Sequence, residues 1–305
     1  GRFVVGEVWW NIELCNYVCV TTMDKKIAHL GKKTGKMLLF GGVYSNLQAL
    51  KTLIAIAERE KIDPSNCICT GDIVGYCAQP EETIQRFKKW GANSIAGNVE
   101  FQLAHDKEDC GCDFETGGRC DIFSKMWYPY AKNQLSTNSM EWIAELPDYL
   151  TFTYREKTIM VVHGSYGNIS KYIFKSTPLA IKESQFKDTA SDVIIAGHCG
   201  LPFSDKSQNG VWLNPGVIGM PANDGTPRVW YMILDDSNGC LEYTHHHFQY
   251  DYRTTQQLML DNGLPKSYAE TLSTGIWDNM EILPESEKKQ KGLAIDFGEK
   301  EFLLS

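Results

Sequence analysis

The sequence predicts an α/β protein, and three observations predict it. From Met37 onward, short apolar runs that read as strands alternate with segments of helical periodicity. From about Asp148 the pattern becomes more purely β. Four of the apolar runs end alike, each on one oxygen or nitrogen donor beside a glycine.

Residues 1–36 read as an extension, apolar and aromatic early and then lysine-rich in "MDKKIAHLGKKTGK". Met37 to Phe40 form a strand that ends in a glycine pair, and a helix starts at Asn46. "LQALKTLIAIAERE" places apolar residues at helical spacing, and "PEETIQRFKKW" opens with a proline and acids as a helix start should. Together these imply a largely parallel sheet through the first half. "YLTFTY", "KTIMVVHG", "GVWLNPG" and "RVWYMILDD" read as strands, the last with "GCLEYTHHHFQY" as its hairpin partner. "TTQQLMLDNGL" turns helical again before a polar tail around "PESEKKQKG".

The chain has 305 residues, 43% of them hydrophobic and 22% charged, enough to bury a sizeable core. A formal charge of −8 offers no basic field for nucleic acid or an anionic membrane, so a nuclease reading finds no basic stripe. The apolar runs fall far short of the ~20 residues of a membrane span. Ten cysteines without the spacing of a small stapled scaffold suggest free thiols in an intracellular, reducing compartment, cytoplasm or organelle matrix. The first twenty residues lack the charged start and small-residue cleavage site of a secretory signal, and Gly1 fits a processed or truncated N-terminus.

The donors that follow the four runs are Asp72 in "CICTGD", Asn98 in "NSIAGN", His163 in "TIMVVHG" and His198 in "DVIIAGH". Singly, Asp72 and Asn98 read as turn residues and the histidines as structural ones. In an open α/β sheet, however, ligands bind beyond the carboxyl ends of strands, so four donors placed there should converge. A carboxylate, an amide oxygen and two imidazoles suit one divalent ion such as Zn, Mn or Fe.

These motifs resemble the calcineurin-like metallophosphoesterases, from about Met37 to Asp251. "FGGVYSN", "TGDIVGY", "AGNVE", "VVHGS" and "AGHCGLPF" are similar, in order, to the family's five motifs. "LNPGVIGMP" is similar to the loop that follows the last motif in small bacterial members. The match is closest to a bacterial branch with Gly-Asn-Val-Glu, Cys-Gly-Cys and Gly-His-Cys-Gly motifs. The resemblance implies a four-layer αββα sandwich at residues 37–251, with a helical segment and tail at 252–305. It implies a dinuclear site at one edge, with Asp72, Asn98, His163 and His198 on the second metal. The ligands of the first metal would stand at Gly42, Tyr44 and Gly200, and the histidine that assists the leaving group at Val99. One half-site is thus complete and the other degenerate, with the Tyr44 ring expected to fill the vacated space and a second metal doubtful. Asn46 is expected on the substrate side.

Two metals ~3.5–4 Å apart clamp phosphoryl oxygens and activate a bridging hydroxide, and the lost general acid alone is worth ~10²–10⁴ in rate. The sequence therefore favours a pseudo-enzyme with a structural, regulatory or ligand-binding role, taking a protein partner on its terminal segments or a small phosphate ligand. The alternative is an active phosphoesterase on a phosphomonoester or phosphodiester, using one metal or a second one held by Cys199, Cys110, Cys112 and Cys120. His245, His246 and His247 alternate across a strand, cannot share an ion, and are expected at the surface.

Overall fold

The computed structural model describes residues 25–298 and the backbone of 301–302. Most of the expected N-terminal extension, residues 1–24, lies outside the described residues, and with it the expected docking role. Residues inside that extension begin the sandwich, because β1 (Ile27–Lys33) pairs parallel with β5 (Tyr149–Tyr154).

The remaining strands are β2 (Met37–Phe40), β3 (Cys67–Cys69), β4 (Asn93–Ser94), β6 (Lys157–Val161), β7 (Val193–Ile195), β8 (Phe203–Lys206), β9 (Val211–Asn214), β10 (Val229–Asp235), β11 (Glu242–Phe248) and β12 (Glu301–Phe302). They build two six-stranded sheets, ordered β1-β5-β6-β7-β9-β8 and β12-β11-β10-β2-β3-β4. Both sheets are mixed. The parallel pairs β2–β3, β3–β4, β6–β7 and β7–β9 carry the site, whereas β10 joins both β2 and β11 antiparallel. The expectation of a largely parallel sheet is corrected accordingly: a hairpin return such as β10–β11 lays its strands antiparallel.

Alternation along each strand makes the sandwich. Met37 and Leu39 face the other sheet, as do Val193 and Ile195, while Leu38, Phe40 and Ile194 face helices. All four residues of β2 are therefore buried. Beyond β2 and β3 lie α1 (Leu47–Arg59), α2 (Pro80–Trp90), α4 (Arg119–Gln134), α7 (Tyr252–Asp261) and α8 (Lys266–Thr274). Between α2 and β5 the chain also forms α3 (Asn98–Ala104) and α5 (Thr137–Glu145), and α6 (Leu179–Thr189) covers the other sheet through Phe186. Hence the four layers. A short α9 (Glu285–Lys288) follows.

Helix ends follow the local signals. Asn46 caps α1 by accepting from the Ala49 amide, and Leu47, Leu50, Leu53, Ile54 and Ala57 form its buried stripe. Pro80, Glu81 and Glu82 open α2, Lys88 and Lys89 close it, and Gly91 stops it in a left-handed turn. Among the described residues no helix is long and apolar enough to cross a membrane. Eight described cysteines are free, and Cys67, Cys69 and Cys77 are buried as expected.

Two expectations are overturned. His245 is 8% exposed, accepts a place in the core beside Tyr243 by strand alternation, and pairs its Nε2 with the Asn214 carbonyl at 2.8 Å. Asn46 does not face a ligand: its Nδ2 donates to Gly219 O and Tyr250 Oη, and its Oδ1 accepts from Ala49 and Thr255. A fully engaged cap has no polar atom left for substrate.

Candidate metal centre

The four donors come together at the carboxyl ends of the central strands, two from each sheet. Asp72 follows β3 and Asn98 follows β4, while His163 follows β6 and His198 follows β7. His163 Nε2 lies 2.9 Å from Asn98 Oδ1, 3.1 Å from His198 Nδ1 and 3.3 Å from Asp72 Oδ2. Ligand atoms of Asp72, His163 and His198 all lie within 4.8 Å of one another. A tetrahedral ion with bonds near ~2.0–2.1 Å puts its ligand atoms ~3.3 Å apart, so these separations fit one ion.

Outer hydrogen bonds aim the donors inward. His163 Nδ1 lies 2.7 Å from the Thr70 carbonyl and His198 Nε2 lies 3.0 Å from the Ser170 carbonyl, which fixes a proton on each outer nitrogen. In the neutral form of each ring the inner nitrogen then carries the lone pair. Asn98 donates its Nδ2 to the Cys110 carbonyl at 2.7 Å and to Cys112 Sγ at 3.1 Å, so its oxygen turns to the centre. Asp72 and His198 hold φ of 57° and 60°, a left-handed backbone that costs a non-glycine residue ~1–3 kcal/mol and collects at functional sites. Gly97 cannot carry a side chain, because a Cβ there would run into the Asp72 carboxylate.

Glu100, Thr70 and Ser170 complete the support, and sequence reading missed all three. The Glu100 carboxylate accepts from the amides of Asp72 at 2.8 Å, Val74 at 2.9 Å and Gly97 at 2.8 Å, tying the second and third motifs together. A glutamate three residues after Gly97 is a helix-start signal that could have found it. Thr70 and Ser170 act through backbone carbonyls, which no residue pattern marks.

The charges fit a cation site. Burial alone would raise the Asp72 carboxyl, but the charge and hydrogen bond of protonated His163, with His198 and the Val99 amide, together outweigh it and hold it below its usual value. Against burial, the Asp72 charge in turn raises His163. Burial and the neighbouring His163 push His198 down to about 3, which leaves it neutral and free to ligate. Burial and the Asp72 charge push Glu100 up to about 7.

Aromatic rings pack around the positions expected to hold the first metal's ligands. A Cβ on Gly42 would lie 2.5 Å from Tyr44 Cε1, so the tyrosine ring covers that position. Tyr44 packs edge-on against Tyr76 with centroids 4.7 Å apart, and Tyr76 packs edge-on against Tyr268 at 5.2 Å. Burial, then the Asp72 charge, push the Tyr44 hydroxyl well above its usual value, so at neutral pH it is a phenol and not an anionic ligand. Trp277 from the C-terminal segment sits 3.4 Å from where a Cβ on Gly200 would be, and Val99 is buried in the helix-side core.

The cysteines do not assemble. Cys110 and Cys112 flank Gly111 beside Asn98; the neighbouring Cys112 holds the Cys110 thiol below its ordinary value, while the neighbouring Cys110 and burial push Cys112 up. Cys120 instead lies 3.3 Å from Asn279 Oδ1, and Cys199 is buried between Asn214 and Leu201. Among the described residues Asp72, His163 and His198 make the one group of three or more such ligands, and no thiol joins it.

A cavity of about 90 Å³ opens onto Asp72 and His198 and is walled by Tyr44, Tyr172, Tyr268 and Trp277. No lysine or arginine is among the described residues that line it.

Comparison with known proteins matches the same residues. A family model described as the calcineurin-like phosphoesterase superfamily domain covers residues 38–239, about two-thirds of the chain. An uncharacterized protein of Methanocaldococcus jannaschii is 24% identical over 250 residues, spanning 76% of this chain and 95% of its own. A hypothetical protein from Pyrococcus horikoshii shares the fold with a TM-score of 0.66 at 18% identity, covering 79% of this chain and 99% of its own. A metallophosphoesterase from Sphaerobacter thermophilus gives 0.62 at 24% identity, covering 80% and 100%.

Proposed function

This chain belongs to the calcineurin-like phosphoesterase superfamily, and from that premise we propose that it is a one-metal member whose hydrolytic machinery is dismantled. In this reading it serves as a ligand-binding or regulatory protein. Asp72, Asn98, His163 and His198 would hold a divalent ion, which when bound would polarise an oxygen ligand or acidify water. Thr70 and Ser170 keep the histidine lone pairs inward, and Glu100 fixes the Asp72 and Gly97 backbones.

The Tyr44 ring over Gly42 is the observation that carries this reading. The ring stands where the resemblance would put a first-metal ligand, and Trp277 lies at ordinary van der Waals distance, 3.4 Å, from the Cβ position of Gly200. The cavity supports the same view. At about 90 Å³ it has room for roughly three water-sized molecules at ~30 Å³ each, against the ~300–1,000 Å³ of common ligand pockets. Among the described residues on its wall there is no lysine or arginine, and His198 is neutral, so none of them neutralises a phosphoryl group in transfer. A small ligand that coordinates the ion directly fits better than an ester held by charge.

Hydrolysis of aryl phosphate esters with added Mn²⁺, Zn²⁺ or Fe²⁺ tests the reading, which predicts no turnover that depends on His163. Metal-dependent turnover abolished in His163→Ala would establish the second reading, an active phosphoesterase. One observation favours that second reading: all four ligands of the retained half keep both their geometry and their outer hydrogen bonds.

A further inference from the structure

The Cys-Gly-Cys segment plays no part in the site as described so far, yet it is bonded to both halves of it. Asn98 donates to the Cys110 carbonyl at 2.7 Å and to Cys112 Sγ at 3.1 Å. The Gly111 carbonyl accepts from Ser170 Oγ at 2.5 Å, and the Ser170 carbonyl accepts from His198 Nε2 at 3.0 Å. One three-residue turn thus anchors a donor from each sheet. The two cysteines stand two residues apart on one turn, whereas Cys120 is engaged with Asn279 and Cys199 with Asn214.

We propose that Cys110 and Cys112 are a reversible dithiol–disulfide pair whose oxidation loosens Asn98 and His198 and so weakens metal binding. The part concerning the metal rests on the four-donor reading above. The backbone permits the bond. Residues two apart are at most ~7 Å from Cα to Cα. Gly111, at a left-handed φ of 69°, folds the turn back toward the ~4.4–6.8 Å a disulfide spans. Cys112 is half-buried, so part of its surface is open to solvent, while Cys110 is 2% exposed.

The oxidant is a low-molecular-weight disulfide. One thiolate of the pair attacks one of its sulfurs, the S–S bond breaks, and one small thiol leaves. The other protein thiolate then attacks the protein sulfur of the mixed disulfide and expels the second small thiol. Two protein thiols are oxidised, one external disulfide is reduced to two thiols, and the two protein protons end on those products. Closing the bond draws Cys112 Sγ toward Cys110, away from the Asn98 amide, and reshapes the turn that presents Gly111 O to Ser170.

The test equilibrates the full chain with reduced and oxidised glutathione, then maps disulfides by peptide mass spectrometry. Side-chain NMR of the Asn98 amide and the His198 ring is recorded without metal, and Zn²⁺ affinity is measured by competition with a chelator. The expected result is a Cys110–Cys112 disulfide, reversed by dithiothreitol, that shifts both sets of signals. Zn²⁺ affinity should fall ~10–100-fold, the usual effect of losing outer-sphere partners. In Cys110→Ser and Cys112→Ser, made separately in case one fails to fold, oxidant should leave the affinity of the reduced protein unchanged. A disulfide on another pair, or a Cys110–Cys112 bond that leaves the NMR signals unmoved, would overturn the proposal. If the reduced protein binds no Zn²⁺, the four-donor reading fails instead, and the mapping and metal-free spectra still decide this one.

Discussion

Tyr44 lies so close over Gly42 that the two positions constrain each other: a Cβ at 42 would sit 2.5 Å from the ring. Gly42 cannot take the ligand type of the family motif while the Tyr44 ring is in place. Gly42→Asp by itself should cost about 1–3 kcal/mol through overpacking. Adding Tyr44→His removes the ring and should recover a large part of that cost, so a double-mutant cycle by denaturant unfolding should give a coupling of at least ~0.5 kcal/mol. Simple additivity would show that the ring does not fill the site.

Metal affinity should depend on the retained half alone. His163→Ala removes the nitrogen that sits within 2.9–3.3 Å of the three other donors. Zn²⁺ binding, read by isothermal titration, should fall at least ~100-fold, whereas Cys199→Ser, whose sulfur bonds Asn214 and Leu201 and none of the four donors, should leave it largely unchanged.

Glu100 should matter as a positioning residue. Its carboxylate satisfies three buried backbone amides, so Glu100→Ala should destabilise the fold by ~2–4 kcal/mol and weaken metal binding together. Glu100→Gln keeps an oxygen acceptor and should recover part of both, a rescue that general loss of packing would not produce.

The buried Lys182 predicts a pH dependence away from the site. Its Nζ bonds Asp205 Oδ2 at 2.6 Å and two backbone carbonyls. Burial raises the Asp205 carboxyl, but the Lys182 and Lys175 hydrogen bonds outweigh it and hold the group below its usual value. A depressed carboxylate stabilises the fold above its unfolded pKa, and that stability is lost as pH falls through the folded value. Asp205→Asn should therefore cost ~2 kcal/mol at pH 7, less than a fully buried pair because Asp205 is partly exposed, and should flatten the loss of stability below pH ~4.

The site was more legible in the sequence than its surroundings. Asp72, Asn98, His163 and His198 each follow an apolar run directly, so their shared location follows from strand order, whereas the expectation that the Tyr44 ring fills the Gly42 position rests on the family resemblance. Helix α2 was legible because proline, acids, lysines and glycine mark its two ends. Helix α4 was not: it carries Pro129 and its apolar residues make no clear stripe. Strand β1, rich in lysine, became a strand through pairing with β5, a contact no local pattern encodes. Asn46 was misread because a cap and a substrate contact ask for the same side chain, and only its partners Gly219, Tyr250 and Thr255 distinguish them. Trp277 and Ser170 reach the site from remote segments, and tertiary packing alone brings them there.

The most direct test of the central claim is the number of metal ions per chain. It would be measured by elemental mass spectrometry on protein purified without chelator or metal-affinity resin, loaded with Mn²⁺ or Zn²⁺ and desalted. One filled half-site beside a tyrosine-filled one predicts one ion per chain, lost in His163→Ala. Two ions per chain would contradict it, because the space over Gly42 would then hold a metal and not a ring.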